Sequence, residues 1–345
     1  VNNRLVTEHI GGYTAFKIDI TDFVDADKRN LLTVKVMDDL SQNHLRGKQR
    51  WKPENYDCWY VQTTGIWKSV WIEYCGTHII DSVSFHTAND GQVSCEVQVV
   101  SGGDKAFLSV MDLRLTAPVI QNKAEFSFKI SQPKLWSIES PALYDAVVTV
   151  PGEVDDQVAC YFAFREVSAR KDGIFINNQK VYLRMVLDQG YWNNSMLTAP
   201  NKESLKADVE YITGYGFNGV RKHQKIENYT FYYLCDCYGL LVWGEIPSAY
   251  QFSEEMKKEL DRDLPLILKQ LSPFVSIISW VLFNESWGIP DISRDQKTQQ
   301  YVKELSHLVR QQGGQRLISL NDGWSQMDGD ILSLHEYEQN PTVVA

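Results

Sequence analysis

The spacing of apolar positions changes once along the chain, close to residue 170. Before it, short stretches alternate polar and apolar residues and are broken by turn residues such as "ANDG" and "SGGD". In "AFLSVMDLRL" the alternation sets Phe107, Met111, Leu113 and Leu115 on one face with Asp112 and Arg114 on the other, and in "AEFSFKI" it aligns Phe126, Phe128 and Ile130. A period of two is that of half-buried strands, and strands so spaced with no helices between them predict antiparallel sandwiches. Residues 76–168 have the size and strand count of a complete immunoglobulin-like β-sandwich. Residues 1–75 hold three more strand patterns, "GGYTAFKIDITDFV", "NLLTVKVMD" and "TGIWKSVWIEYCG", which need a partner on their N-terminal side.

After residue 170 strands and helices alternate. "KVYLRMV", "FNGVR", "LLVWGEIP", "SIISWVLFNE", "RLISLN" and "DILSLHEY" read as six strands. Between them, "KESLKADVEYITGYG" reads as a helix, "YTFYYLCDCYG" as one closed by Gly239, and "SEEMKKELDRDLPLILKQLS" as one opened by a Ser cap with acidic residues in its first turn. A further helical pattern, "RDQKTQQYVKELSHLVRQQG", precedes the fifth strand. Short strands with apolar interiors joined by helices are parallel, in either a doubly wound sheet or a (β/α)8 TIM barrel. No glycine-rich phosphate loop follows the first strand, which favours the barrel. A barrel takes about 250 residues, more than 169–345 supply. The expected fold is therefore multidomain, with an all-β N-terminal half followed by an incomplete barrel that stops after about six strands. Its open edge would favour a homo-oligomer.

Composition narrows the class. The 345 residues are 43% hydrophobic and 23% charged, as in ordinary globular proteins, and no apolar run is long enough to span a membrane. A net charge of −10 repels a phosphate backbone and excludes nucleic acid as a partner. The basic cluster "HLRGKQRWK" at 44–52 runs against this trend. It reads as a solvated loop, the alternative being a loop that touches a polar or acidic ligand. Six scattered cysteines lack disulfide or zinc spacing and favour a reducing compartment such as the cytoplasm. The chain opens on mid-domain sequence without an initiator Met, so targeting cannot be read from it.

Chemistry gathers where the predicted parallel strands end, at Asp188, Arg221, Glu245, Asn284 with Glu285, Asn321 with Asp322, and His335 to Tyr337. Glu285 follows an apolar strand and lies in sequence between Trp280 and Trp287. Desolvation there would raise its pKa and suit it to donate a proton near neutrality, although a carboxylate in that position could equally cap the next segment or pair with Arg221. Tyr191, Trp192, Trp287, Trp324 and Tyr337 also fall at strand tips. Flat aromatic faces among directed hydrogen-bonding groups are what a sugar requires. Glycoside hydrolysis needs two carboxyl groups, about 5–5.5 Å apart for retention and about 6.5–9.5 Å for inversion. Glu245, Glu336, Asp188 and Asp322 are open candidates for the second.

"TGIWKSVWIEY", "FNGVRKHQKIENYTFYYLCDCYGLLVWGEIP" and "VSIISWVLFNESWG" together resemble glycoside hydrolase family 2, which contains β-galactosidases, β-glucuronidases and β-mannosidases. The resemblance covers nearly the whole chain and implies the later part of a jelly-roll sugar-binding domain over 1–75, then the sandwich, then the catalytic barrel. It implies a retaining exo-β-glycosidase with a carbohydrate substrate, β-galactosidase-like first and β-glucuronidase- or β-mannosidase-like as alternatives. The basic loop lends the glucuronide some support. A carbohydrate-binding relative that has lost catalysis is the rival reading.

In this resemblance Glu285 is the general acid/base and Asn284 binds the 2-hydroxyl of the sugar. Tyr337 supports the nucleophile, and Arg221 positions the catalytic carboxylates. The family's nucleophile is a glutamate on a seventh strand, which has no counterpart before Ala345, so these 345 residues alone are expected to be inactive. His223 follows Arg221 by two positions where the family often has three, and Asp188 stands where many members carry a sugar-contacting His. Glu245 is followed by Ile246 and Pro247 in place of the metal-binding pattern of some β-galactosidases, so no metal and no other cofactor is expected.

Overall fold

A computed structural model describes residues 1–340. Among residues 1–79 the regular structure is one 3-10 turn, Thr21–Phe23, and a single bridge between Gln49 and Tyr60. The three strand patterns expected here form no sheet, and Leu32, Val34, Val36, Ile72 and Tyr74 are exposed. A strand needs a neighbour for its N–H and C=O groups, and these stretches find none among the described residues.

Over residues 80–162 antiparallel strands form two sheets. Strands β1 (Ile80–Thr87), β2 (Gln92–Val99) and β5 (Lys123–Lys129) make one antiparallel sheet in the order β1-β2-β5. Strands β3 (Lys105–Val110), β4 (Leu113–Pro118), β6 (Tyr144–Val150) and β7 (Asp156–Phe162) make the other, in the order β4-β3-β6-β7. Val93, Cys95 and Val97 from one sheet and Ala106, Leu108 and Val148 from the other share a core with Phe126 and Phe128. The stretch "AFLSVMDLRL" is a hairpin rather than one strand. Met111 takes φ +50° in the turn and is exposed, so the buried face is that of Ala106, Leu108 and Val110 and not of Phe107.

A three-stranded antiparallel sheet follows, β8 (Val167–Arg170), β9 (Gly173–Ile176) and β10 (Gln179–Val181). The predicted strand "KVYLRMV" is therefore split. Asn218 causes the break, since its amide accepts from the Arg184 N–H at 2.7 Å and donates to the Tyr182 carbonyl at 2.8 Å, taking the groups a continuous strand would give to a neighbour.

Five parallel strands come next: β11 (Met185–Asp188), β12 (Gly219–Lys222), β13 (Leu241–Glu245), β14 (Ile277–Asn284) and β15 (Leu317–Asp322). They neighbour one another in chain order, without the reversal of a doubly wound sheet. The crossovers carry α1 (Lys202–Gly214), α2 (Tyr229–Tyr238), α3 (Glu254–Leu271) and α4 (Gln296–Gln312). The Ser253 hydroxyl caps α3 through the Met256 N–H, and Gly239 ends α2 at φ +69°. Among the described residues no helix is long and apolar enough to cross a membrane.

The predicted sixth strand does not form. Residues 331–340 are without regular structure, and Leu332 and Leu334 are exposed. The segment still runs beside β15, with Asp330 N–H on the Ile318 carbonyl and His335 N–H on that of Gly323. Between those points side chains replace the ladder: Ile318 N–H goes to the Asp330 carboxylate, and the Ser333 hydroxyl accepts from Gly323 N–H.

Two packing features direct the strand tips. Leu241 and Leu317, at the starts of β13 and β15, pack with Val167, Ile174, Ile176 and Val181, so the small sheet covers the N-terminal ends and leaves the C-terminal ends for chemistry. The sandwich meets the parallel sheet at Asp236, fully buried on α2. Its carboxylate accepts from Tyr161 of β7 at 2.7 Å, Ser276 N–H at 2.7 Å and Val275 N–H at 3.2 Å, while its carbonyl accepts from the Trp136 indole. Burial pushes Asp236 up to about 6.

Candidate active site

Arg221, near the end of β12, unites the strand tips. Its Nε donates to Glu245 at the end of β13 (2.8 Å), its Nη2 to the Asn284 oxygen at the end of β14 (2.7 Å), and its Nη1 to Asp322 at the end of β15. One planar, five-donor fork thus spans four consecutive tips, which a lysine point charge could not do. Glu245 is fully buried and used on both oxygens, Oε2 by Arg221 and His223 (2.8 Å) and Oε1 by Gln224 (2.6 Å). Burial pushes its pKa up, but the charges and hydrogen bonds of Arg221 and His223 outweigh this and hold it at about 2. Glu245 is a fixed anion that positions its neighbours.

Glu285 lies one residue beyond β14 in a left-handed conformation, φ +49°, followed by Ser286 at φ +62°. Such positions cost about 1–3 kcal/mol each and persist only where the surroundings hold them. Here Glu285 N–H bonds the Asp322 carbonyl at 2.8 Å and Ser286 N–H bonds the Asn321 side chain at 2.9 Å. Glu285 Oε1 meets His335 Nδ1 at 2.7 Å and accepts from the Tyr337 hydroxyl. The expected upward shift of its pKa is not found. Burial does push it up, but the hydrogen bonds of His335 and Tyr337 and the nearby charges of His335 and Arg221 bring it below the usual glutamate range. The Tyr337 phenol, donating to that carboxylate, is raised to about 12.

His335 also places Nε2 3.0 Å from Asp322 Oδ2. The other carboxylate oxygen, Asp322 Oδ1, is buried and has no donor among the described residues. Asn284 gives its oxygen to Arg221, which leaves its N–H2 as the end available to a ligand.

The remaining expectations divide. His223 joins the network through Glu245 and sets its ring edge-on to Trp287, centroids 5.8 Å apart. Trp324 packs 6.0 Å from His335. Asp188 does not join. Successive residues on a strand point to opposite faces, so Lys222, next to Arg221, points away and draws Asp188 (2.6 Å) and Glu227 (3.2 Å) into a second buried cluster; Asp188 Oδ1 is taken by Gly190 N–H. Glu336 is exposed and, among the described residues, accepts from Glu338 N–H alone. Trp280 is fully buried with its indole N–H on the Gly313 carbonyl, away from Glu285. Tyr191 stacks on Tyr60, 3.9 Å apart.

The basic loop is not solvated. Arg46 and Lys48 are 4% and 3% exposed, and Arg46 and Gly47 donate their N–H groups to the Ser248 carbonyl just beyond β13. The loop brings Trp51, Tyr56 and Trp59 to Tyr250 and Trp287, with Trp59 and Tyr250 at 5.8 and 5.4 Å from the Trp287 ring. Lys48 Nζ lies 5.2 Å from both the Trp59 and Trp287 rings and 2.9 Å from Cys58 Sγ. Lys48 falls within the basic cluster noted in the sequence, whereas Trp59 and Tyr250 went unnoticed. The available signal was the pair of tryptophans, Trp51 and Trp59, that follows the basic run closely, an odd composition for a loop facing water.

The family model "Glycosyl hydrolases family 2" matches residues 77–165. A β-galactosidase of Thermoanaerobacterium thermosulfurigenes is 26% identical over 92% of this chain and 46% of its own length, and a β-glucuronidase of Bacteroides fragilis is 24% identical over 95% and 52%. The solved apo structure of Bacteroides uniformis β-glucuronidase 3 superposes with a TM-score of 0.75 at 20% identity, covering 91% of this chain and 42% of that one. The chain spans about half the length of these relatives.

Proposed function

The chain belongs to glycosyl hydrolases family 2, and from that premise we propose that it serves a retaining β-glycosidase acting on terminal β-linked sugars, with Glu285 as the general acid/base. In this reading residues 1–75 are part of a jelly-roll sugar-binding unit, 76–168 an immunoglobulin-like sandwich, and 169–345 a catalytic TIM barrel. The sequential order of the five parallel strands supports the barrel, because a sheet that grows in one direction with every helix crossover repeated curls toward closure.

The observation that carries the function is the pairing of a strained, hydrogen-bonded Glu285 with the Arg221 fork. The fork fixes Glu245, Asn284 and Asp322 around it. In the reaction Glu285 hands its proton to the glycosidic oxygen as the bond to the aglycone breaks and a second carboxylate takes up the anomeric carbon, and it later takes a proton from the water that displaces that carboxylate. The Asn284 amide N–H2 and the free Asp322 Oδ1 hold sugar hydroxyls as donor and acceptor. A bound sugar excludes water from Glu285 and lifts its pKa toward the value an acid catalyst needs. His335 and Tyr337 hold the carboxylate between turnovers.

The relatives' names make nitrophenyl β-galactoside and β-glucuronide the first substrates to try with the full-length protein. Turnover with net retention, lost by at least ~100-fold in Glu285→Gln for poor leaving groups and less for good ones, supports the role. Equal activity of Glu285→Gln on both kinds of leaving group would refute it.

A further inference from the structure

We propose that Lys48 and Cys58 form an oxidation site, in which a hydroperoxide joins the lysine nitrogen to the thiol sulfur through one oxygen atom. The inference rests on the geometry of the 44–60 loop and not on the glycosidase reading.

The cysteines divide by their surroundings. Cys95 and Cys235 are buried and Cys75, Cys160 and Cys237 half-buried, whereas Cys58 is exposed. Burial is the largest influence on each of the other five thiols and pushes them up, Cys95 to about 12 and Cys160 to about 11. Thiols raised in this way are poor nucleophiles toward an oxidant. Cys58 instead meets a cation, with Lys48 Nζ 2.9 Å from its sulfur. Exposure combined with a positive neighbour is the setting of reactive cysteines.

Lys48 supplies an independent sign. The other buried lysines, Lys222 and Lys225, both meet Glu227. Lys48 is 3% exposed, yet no carboxylate lies within ion-pair distance of it among the described residues. Around its Nζ are the Trp59 and Trp287 rings, each at 5.2 Å, and the Cys58 sulfur. Indole faces attract an ammonium without accepting its protons as a carboxylate does, so the thiol is the group that its N–H donors reach. A separation of 2.9 Å is usual for N–H···O, and with the larger sulfur atom it is a close contact. The backbone holds the pair in place. Tyr60 N–H bonds the Lys48 carbonyl at 2.9 Å, Arg50 N–H bonds the Tyr60 carbonyl at 2.8 Å, and Gly47 N–H is tied to the Ser248 carbonyl at 3.1 Å.

With hydrogen peroxide the chemistry takes two steps. Cys58 sulfur attacks one peroxide oxygen, the O–O bond breaks, water leaves, and the thiol becomes a sulfenic acid. Lys48 then releases its extra proton to water. A second peroxide takes one hydrogen from the amine and one from the sulfenic acid, its O–O bond breaks to give two waters, and the N–O bond closes S–O–N. The pair gains one oxygen and loses two hydrogens, and a dithiol reverses both steps. The linked nitrogen is uncharged at neutral pH, so Trp59 and Trp287 lose the cation beside them. Trp287 follows Glu285 by two residues, which makes the aromatic wall of the candidate site responsive to oxidants.

The test treats the full-length protein with a hydrogen peroxide series and digests it with a protease that cuts after glutamate. Cleavage after Glu54 separates Lys48 from Cys58, so their two peptides travel together in mass spectrometry only if they are bonded. The expected result is a linked pair ~14 Da heavier than the sum of the two peptides, parted by dithiothreitol and absent from Lys48→Arg and Cys58→Ser. Arginine keeps the charge but has no amine to link. Should Lys48→Arg fail to fold, the linked mass in the parent and its loss in Cys58→Ser still decide. Peptides that remain separate at every peroxide concentration the fold survives, or a link of the same mass that persists in either variant, overturn the proposal.

Discussion

Replacing Arg221 with methionine removes the group that joins all four strand tips, while methionine keeps most of the stem's packing volume. Three acceptors lose a partner at once, two of them carboxylates that are almost completely buried. Breaking a buried pair from one side costs about 3–5 kcal/mol because the remaining charge is left uncompensated. Glu245 gives an independent measure. Its carboxyl is held at about 2 against an ordinary 4.5, and that depression is worth ~3 kcal/mol at about 1.4 kcal/mol per pH unit, shared between Arg221 and His223. Arg221→Met should therefore lose ~3 kcal/mol at pH 7. The sign of the pH dependence follows from the direction of the shift. A depressed carboxyl contributes stability that is present above its unfolded value near 4.5 and is lost as pH falls toward 2. The variant lacks the share that Arg221 supplies, so the gap between it and the parent should narrow as pH falls from 5 to 3. Urea unfolding followed by tryptophan fluorescence at pH 7, 5, 4 and 3 measures both quantities. A loss under 1 kcal/mol at pH 7, or a gap that stays constant down to pH 3, would refute the account of Arg221 as the counter-ion of the site.

His335→Ala removes two of the influences that depress Glu285, so the basic limb of the kcat/KM pH profile should move upward; an unmoved limb separates His335 from the acid/base. For Asp236→Asn the reasoning runs the other way. Burial raises this carboxyl from 3.8 to about 6, so the folded state favours its protonated form, and the associated stability, full below pH 4, is lost as pH rises through 6. The parent should lose ~3 kcal/mol relative to the Asn variant between pH 4 and 7, measured by the difference in their unfolding free energies; parallel pH curves would contradict this. Gly47 has φ +59°, and a Cβ there would lie 2.1 Å from the Gln224 carbonyl. Gly47→Ala should detach the loop at a cost of ~1–3 kcal/mol and raise exposure of Trp59 and Trp287, read by acrylamide quenching; unchanged quenching would show that the loop is not pinned there.

The helices were legible because their ends carry local chemistry. Ser253, Asp295 and Asn201 cap through their own side chains, and Gly239 closes α2 in a conformation few other residues tolerate. Strand tips were legible for a related reason, since β13 to β15 are apolar runs that stop at a polar residue. What escaped depends on partners distant in sequence. "DILSLHEY" has the alternation of a strand, yet Asp330 and Ser333 take the backbone groups that a ladder would use. Asp188 sits at a tip like the others, but the parity of β12 sends Lys222, and Asp188 with it, to the opposite face. The pKa of Glu285 was misjudged in sign because burial could be inferred from the aromatic residues around it, whereas the donors His335 and Tyr337 lie 50 and 52 residues away. The burial of 45–48 was hidden by the basic composition of the loop, which describes what it carries and not what covers it.

The alternation of Arg221 and Lys222 also bears on folding fidelity. A slip of β12 by one position against β11 and β13 would exchange the two cations between their networks. An ammonium would face three acceptors on three strands, and a guanidinium would enter the compact pocket of Asp188 and Glu227. Neither exchange preserves the hydrogen bonds, so the slipped sheet leaves buried carboxylates unpaired on both faces at once. The two adjacent charges thus act as a register key, and the residues that assemble the candidate site also reject the misaligned sheet.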